Sequence, residues 1–272
     1  MRCEVRLKLT VFSAGGNLSM VLLQLILYLN RIGHKIQWHG EARDIPLPAG
    51  VAVSSPWMDL TRKFFLSYIS HLYMKFKQRL TSPDSLPSCT ANAAYDYLPT
   101  PAQQAVTNAR RPPCAIWPTN PPRKHVYTPD ALITHPLVSP VLATSWAGAP
   151  PVYICAGWEL LTDEDRYTAQ KLWRDGVETV VFEEYEGMPH CFALIFPYLK
   201  EGKRCLEKWA GFIKAVGEQG GNGVGTRFVR VKAKSLQEEV LKPEEVNPFE
   251  EEEVRERVWR TVREAGFVGA KL

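Results

Sequence analysis

Hydrophobic and polar positions change their rhythm several times along this chain. Residues 5–12, VRLKLTVF, alternate partly and are rich in β-formers, which predicts a strand. From Leu18 to Leu29 apolar side chains cover nearly every helical face, so a buried helix is expected, ending near Gly33. Residues 34–50, with Pro46, Pro48 and Gly50, read as a loop. Val51-Ala52-Val53-Ser54 is a short apolar strand stopped at Pro56. A second ordered stretch opens with the apolar strand Pro151 to Ala156. Thr162 then heads a helix with Asp163, Glu164 and Asp165 in its first turn, where the helix dipole favours negative charge. That helix runs to about Arg174 and stops at Gly176, and a strand follows at 179–182. Strand, helix and strand in this order predict a βαβ unit and a parallel sheet. An amphipathic helix is expected at about 197–216, with Leu206, Trp209, Phe212, Ile213 and Val216 at helical spacing.

Two segments have a different texture. Residues 61–131 hold an expected aromatic and basic helix at 64–80, followed by a Pro-rich irregular stretch. Loops of that length belong to lids, binding loops or disorder. After a Gly-rich linker at 217–225, Asn247-Pro248-Phe249-Glu250 predicts a helix start with Asn at the cap. Val254, Val258 and Val262 then share one face, and Glu253 with Arg257 and Glu256 with Arg260 are i,i+4 pairs. This tail is expected to be a solvated amphipathic helix docking weakly on the body, with a partner-binding helix as the alternative.

Composition narrows the function. The chain has 272 residues, 45% hydrophobic and 23% charged, which suits a globular protein with a true core. A net charge of +4 with no basic stripe gives no reason to expect nucleic acid. The six cysteines form no C-x-x-C pair, so neither zinc nor a disulfide framework is implied, and a reducing, cytoplasmic compartment fits. The first ten residues have no apolar run of the kind a secretory leader needs. The Leu18–Leu29 run is shorter than the roughly 20 residues that cross a bilayer, so no membrane span is expected. Nothing here speaks to oligomeric state.

Three short stretches carry chemistry. Ser13-Ala14-Gly15-Gly16 lies between the first strand and the first helix. A sharp turn there pushes a serine oxygen outward and aims the next N–H, that of Ala14, at a developing oxyanion. The same stretch could simply cap a helix or cradle an anion. Gly187-Met188-Pro189-His190-Cys191-Phe192 follows a strand, where a histidine is well placed as a base, although a lone histidine is often structural. Cys191 reads as a packing cysteine. In Gly157-Trp158-Glu159-Leu160-Leu161-Thr162-Asp163-Glu164 an acid could fix the histidine's tautomer. Glu159 is nearest the strand end; Asp163 is the alternative, explained equally by the helix dipole, and Glu184 is an outside candidate. Serine, acid and histidine in this order, each after a strand, suit an α/β-hydrolase.

Ser13-Ala14-Gly15-Gly16-Asn17-Leu18 resembles the GDSAGGNL turn of the hormone-sensitive-lipase-like, or α/β-hydrolase fold-3, family. Ser54-Ser55-Pro56-Trp57-Met58-Asp59-Leu60-Thr61 resembles its SPW-x-DLT segment. Glu159 to Glu164 is similar to its D-P-L-x-D-E segment, with Glu in place of the usual Asp, and Met188 to Phe192 to its histidine segment. His135 to Pro140 and the Pro-rich insert resemble fungal members. The resemblance covers about residues 5–216. It implies a partial α/β-hydrolase fold: a mainly parallel sheet flanked by helices, with a lid-like insert at about 61–131 and a C-terminal helical tail. Residues 1–216 would form the hydrolase domain and 217–272 a linker and charged tail. It also implies Ser13 as nucleophile, His190 as base, Glu159 as acid and Ala14 as oxyanion donor. The substrate would be a small or medium, partly apolar carboxylic ester, bound by aromatics such as Trp57, Phe64 and Phe65, with no metal or organic cofactor. Two departures stand out. No H-G-G-G oxyanion loop precedes the serine, so the chain reads as an N-terminally truncated member, from a late-starting gene model or a hydrolase-like binding protein with impaired catalysis. Val11 and Phe12 stand where the family has Gly and Asp, and such a valine predicts a shifted strand.

Overall fold

The computed structural model describes residues 8–61, 97, 127–219 and 223–265. The expected helix at 64–80, most of the insert at 61–131, and Phe64 and Phe65 lie outside the described residues.

The centre of the protein is a six-stranded sheet in the order β1-β4-β5-β6-β7-β8. Strand β1 (Lys8–Phe12) feeds directly into helix α1 (Ser13–Arg31), and β4 (Gly50–Ser54) pairs parallel to β1. Then come β5 (Val152–Gly157), helix α2 (Thr162–Arg174) and β6 (Val180–Tyr185), the βαβ unit that the apolar runs imply. Five of the strands are parallel and only β8 runs antiparallel. Buried on both faces, β4 and β5 are the near-continuous apolar runs expected of such strands, whereas β6 is apolar over Val180–Phe182 and then carries the buried Glu183 and Glu184. One face packs on α1 and α2 through Met20, Leu23, Leu27, Tyr167 and Leu172. The other packs on helix α4 (Lys200–Gln219) through Trp209, Phe212 and Val216, with the short helix α3 (Phe192–Ile195) beside it.

Three features depart from the sequence reading. Residues 34–50 are not only loop: β2 (Ile36–Trp38) and β3 (Glu41–Arg43) form a small antiparallel ribbon. Its two turn residues, His39 and Gly40, both have positive φ (49° and 81°), the geometry of a type I′ hairpin. The ribbon is almost wholly exposed, so it leaves no alternation of apolar residues to read.

The tail is more than linker and helix. Strand β7 (Arg227–Val231) pairs parallel to β6, and β8 (Glu238–Val240) closes that edge. Helix α5 (Glu251–Ala265) does not dock weakly, since Val254, Val258 and Val262 are buried in the core that holds α1 and α2. It also starts later than its expected cap. Asn247 is buried and exchanges hydrogen bonds with Gln170 on α2, anchoring the approach to α5.

Strand β1 shows no shift at Val11. The residue sits in regular register opposite Val53. Its side chain instead occupies the space left by Gly15, where an added Cβ would lie 3.1 Å from Val11 Cβ. A glycine on the helix side of the turn thus provides the room for the Val11 side chain.

Candidate active site

Parallel strands point the same way, so their C-terminal ends line one edge of the sheet, where α/β proteins bind ligands. In register, Phe12 stands opposite Ser54, Ser54 opposite Cys155, and Gly157 opposite Tyr185. The loops that leave these ends carry Ser13, Ser55, Glu159 and His190, and bring together residues up to 177 positions apart.

Ser13 is the first residue of α1 and has φ 50°, a strained conformation for a residue with a Cβ. Small neighbours make the turn feasible. A Cβ on Gly16 would lie 2.7 Å from Pro56 Cβ, so glycine lets the loop after β4 press against α1. Trp57 N–H donates to Ser13 C=O at 3.3 Å, and Asn17 Nδ2 donates to Trp57 C=O at 2.8 Å. Phe12, at the N-cap, offers no side-chain hydrogen bond to the helix. The first N–H groups of α1, including that of Ala14, have no intrahelical partner and point outward.

Ser13 Oγ lies 2.8 Å from His190 Nε2. The other ring nitrogen, Nδ1, is hydrogen-bonded to Glu159 Oε2. In the neutral imidazole, with the ring proton on Nδ1 facing the carboxylate, Nε2 is the acceptor that faces the serine hydroxyl; in the imidazolium it is a donor. Glu159 is fully buried and His190 nearly so. The acid alternative goes elsewhere: Asp163 Oδ1 accepts from Arg166 Nη1 at 2.9 Å. Glu184 accepts from Arg166 and from Trp158 Nε1. Glu159 is the carboxylate brought to the histidine.

Several residues that hold this arrangement were not singled out from the sequence. Ser55 Oγ donates to Glu159 Oε1 and accepts the Cys191 N–H at 3.2 Å, so one hydroxyl ties acid loop to histidine loop. Ser55 is buried and has φ 48°. Gly157 lets the two loops meet, because a Cβ there would lie 2.0 Å from Met188 O. Thr162 Oγ1 accepts the Glu159 N–H at 2.9 Å. Glu164 Oε1 accepts the N–H groups of Met58 and Asp59 at 2.6 and 3.2 Å, ordering the loop that backs Ser13. The contacts of Ser55 and Glu164 span 104 to 136 positions, beyond the reach of any local spacing rule.

The electrostatics favour a charged histidine. Burial alone would lower the His190 pKa, but hydrogen bonding with Cys191 and Glu159 and the charge of Glu159 outweigh it and raise His190 to about 10. Cys191 is itself buried and left-handed (φ 52°), consistent with a packing residue at the start of α3. Asp165 on α2 is buried, with burial and the nearby charges of Glu159 and Glu164 pushing its carboxyl upward.

Aromatic groups flank the site. Tyr97 stands edge-on to His190 with ring centroids 6.0 Å apart, and Tyr127 stands edge-on to Trp57 at 5.5 Å. Trp57 is buried, with its indole N–H on Asp59 C=O at 2.8 Å. A separate cavity of about 540 Å³, lined by Tyr153, Glu183, Lys208, Phe212 and Arg227 among others, contains neither Ser13, Glu159 nor His190. Among the described residues no cluster of three His, Cys, Asp or Glu could hold a metal, and no helix is long and apolar enough to cross a membrane.

A mainly parallel sheet flanked by helices, with serine, acid and histidine loops at the carboxyl ends of its strands, is the architecture of the α/β-hydrolase fold. Residues 94–194 match a family model described as alpha/beta hydrolase fold. Glu159 and His190 lie inside the matched stretch and Ser13 lies outside it. An AB hydrolase superfamily protein of Schizosaccharomyces pombe (strain 972) is 36% identical over 81 residues, 29% of this chain and 23% of that protein. Among solved structures the chain is similar to an esterase from the bacterial hormone-sensitive lipase family (25% identity, TM-score 0.44, 78% of this chain and 54% of the other). It is also similar to vibralactone cyclase (18% identity, TM-score 0.49, 79% and 50%). The chain spans about half the length of these structures and under a quarter of the yeast protein.

Proposed function

We propose that the chain hydrolyses carboxylic esters through an acyl-enzyme on Ser13. The observation that carries this reading is the hydrogen-bonded run from Ser13 Oγ through His190 to Glu159, with its 2.8 Å step to Nε2. A serine hydroxyl is a weak nucleophile until a base takes its proton. His190 Nε2 accepts that proton as Oγ attacks the ester carbonyl, and the charge moves onto the carbonyl oxygen. Ala14 N–H, at the positive end of α1, donates to this oxyanion. The tetrahedral species collapses, His190 gives its proton to the leaving alcohol, and Ser13 is left acylated. Water then enters, His190 takes its proton, and a second tetrahedral species releases the carboxylic acid and restores Ser13. Throughout, Glu159 keeps the imidazole in the tautomer and orientation the exchange needs.

The chemistry uses no cofactor. Tyr97, Tyr127 and Trp57 around the site favour a small or medium ester with an apolar acyl or alcohol part; Phe64 and Phe65 belong to the same proposal. Turnover of p-nitrophenyl butyrate by the native chain, lost in Ser13→Ala, is the expected result. Equal turnover by both chains would refute the assignment of Ser13. No turnover by the native chain would favour a hydrolase-like protein that binds its ligand without cleaving it.

A further inference from the structure

Two residues beyond the buried pair Cys191 and Phe192, the backbone turns outward and presents apolar side chains to water. Leu194 is 59% exposed, Ile195 42% and Tyr198 76%, and Pro197 and Leu199 are exposed with them. Single exposed apolar residues need no explanation, whereas a contiguous group of this kind does.

The loop is not frayed chain. Phe196 N–H donates to Phe192 C=O at 2.7 Å, and Leu199 N–H donates to Phe196 C=O at 3.1 Å. Its base is held by Phe192 and Ala193, both fully buried. Gly202 on α4 lets the loop lie close, since a Cβ there would meet Phe196 O at 2.2 Å. A hydrogen-bonded turn therefore holds these side chains in water.

Three exposed lysines lie beside it. Lys200 and Lys203 are exposed on the first turn of α4. Lys234 joins them, because its N–H donates to Glu201 on that same turn at 2.9 Å. The Glu201 carboxylate is buried and turned toward that N–H, away from water. Among the described residues none of the three lysines forms an ion pair with a carboxylate. A tyrosine, aliphatic side chains and a rim of lysines are the composition that settles at the boundary of an anionic lipid layer.

We propose that the 194–199 loop and its lysine rim dock the protein on anionic lipid surfaces. Leu194, Ile195 and Tyr198 enter the headgroup boundary and the lysines face lipid phosphates. The loop begins four residues after His190, so docking sets the site beside the lipid. If the hydrolase reading holds, lipid-borne esters are then the substrates met there, but the docking itself does not depend on turnover.

The test is co-sedimentation of the full chain with phosphatidylcholine vesicles, with and without phosphatidylglycerol. The native chain and Ser13→Ala are expected to sediment equally with the phosphatidylglycerol vesicles, and less as salt rises. Leu194→Ser with Tyr198→Ser is expected to weaken binding about a hundredfold, since each buried apolar side chain counts for roughly tenfold. Lys200→Glu with Lys203→Glu is expected to abolish the preference for phosphatidylglycerol, at about fivefold per lysine or more. All four side chains are exposed, so thermal melts should match the native chain. If the native chain stays in the supernatant with both vesicle types, or the double serine variant binds as tightly as the native chain, the proposal is overturned. Concentration-dependent self-association that the double serine variant removes, without vesicle binding, would assign the loop to a second copy instead. Vesicle binding by a chain that turns over no ester would refute the hydrolase reading alone.

Discussion

Ser55 Oγ donates to Glu159 Oε1, while Glu159 Oε2 holds the histidine that faces Ser13. The buried carboxylate therefore binds Ser55 through one oxygen and His190 through the other. Removing the hydroxyl leaves Oε1 with only the Gly157 N–H at 3.3 Å, and frees the Cys191 N–H. Ser55→Ala is expected to cost about 1.5–3 kcal/mol of stability, as for a hydrogen bond to a buried charge. It should also lower kcat more than KM, because the histidine loses its fixed orientation. Ser55→Gly removes the same bond but relieves the φ of 48°, so it should be the more stable of the two. Chemical denaturation and steady-state kinetics check both, and native stability in Ser55→Ala would contradict the bridging role.

The pH dependence follows from the charge on His190. As the base of the proposed reaction it must be neutral, and its pKa is raised to about 10, burial opposing and Cys191 and Glu159 prevailing. kcat/KM should therefore rise with pH through the alkaline range. Glu159→Gln removes the charge that supports the imidazolium, so the limb should move to lower pH while the maximal rate falls about 10²–10⁴. Stability follows the opposite sign. A histidine whose pKa is higher folded than unfolded stabilises below its ordinary value near 6.5 and loses that contribution as pH rises through about 10. Denaturation midpoints between pH 6 and 10 should fall for the native chain and flatten in Glu159→Gln.

Gly157 is where the acid and histidine loops touch. A methyl group would meet the Met188 carbonyl oxygen at 2.0 Å and the Pro189 carbonyl oxygen at 2.9 Å, both backbone atoms with little freedom to yield. Gly157→Ala is expected to destabilise by about 1–3 kcal/mol or more and to separate His190 from Glu159. Fluorophosphonate labelling of Ser13 should fall in proportion more than the melting temperature. A variant that labels like the native chain would show that the loops can part without consequence.

The C-terminal segment is expected to be part of the folding unit. Val258 is fully buried among the α1 and α2 residues, and Val258→Ala should cost about 2 kcal/mol through lost burial and the cavity left behind. Deleting 226–272 removes β7 and β8 and bares the edge of β6, so the shortened chain should aggregate. A soluble, cooperatively melting deletion variant would contradict this.

Much of the framework was legible because burial leaves periodic traces. The runs at Val51–Ser54, 151–156 and 179–182 are continuous because parallel strands are covered on both faces, and the acidic first turn of α2 marks its start. Ser13, Glu159 and His190, which the fold brings together, each follow a strand within a short motif. The β2–β3 ribbon is exposed and left no pattern. Strands β7 and β8 are charged, with Arg227, Arg230, Glu238 and Glu239 pairing with acids and bases of neighbouring elements. On the sequence they resemble a solvated tail. Ser55 and Gly157 were invisible as contributors because their partners lie far along the chain, and Val11 seemed misplaced only while Gly15 was read apart from it.

The most direct measurement is active-site labelling with a fluorophosphonate, followed by mass analysis and p-nitrophenyl butyrate turnover. One adduct on Ser13 is expected, with faster labelling as pH rises and loss of both label and turnover in Ser13→Ala and His190→Ala. An intact, cooperatively folded native chain that takes no label at Ser13 and cleaves no ester would contradict this.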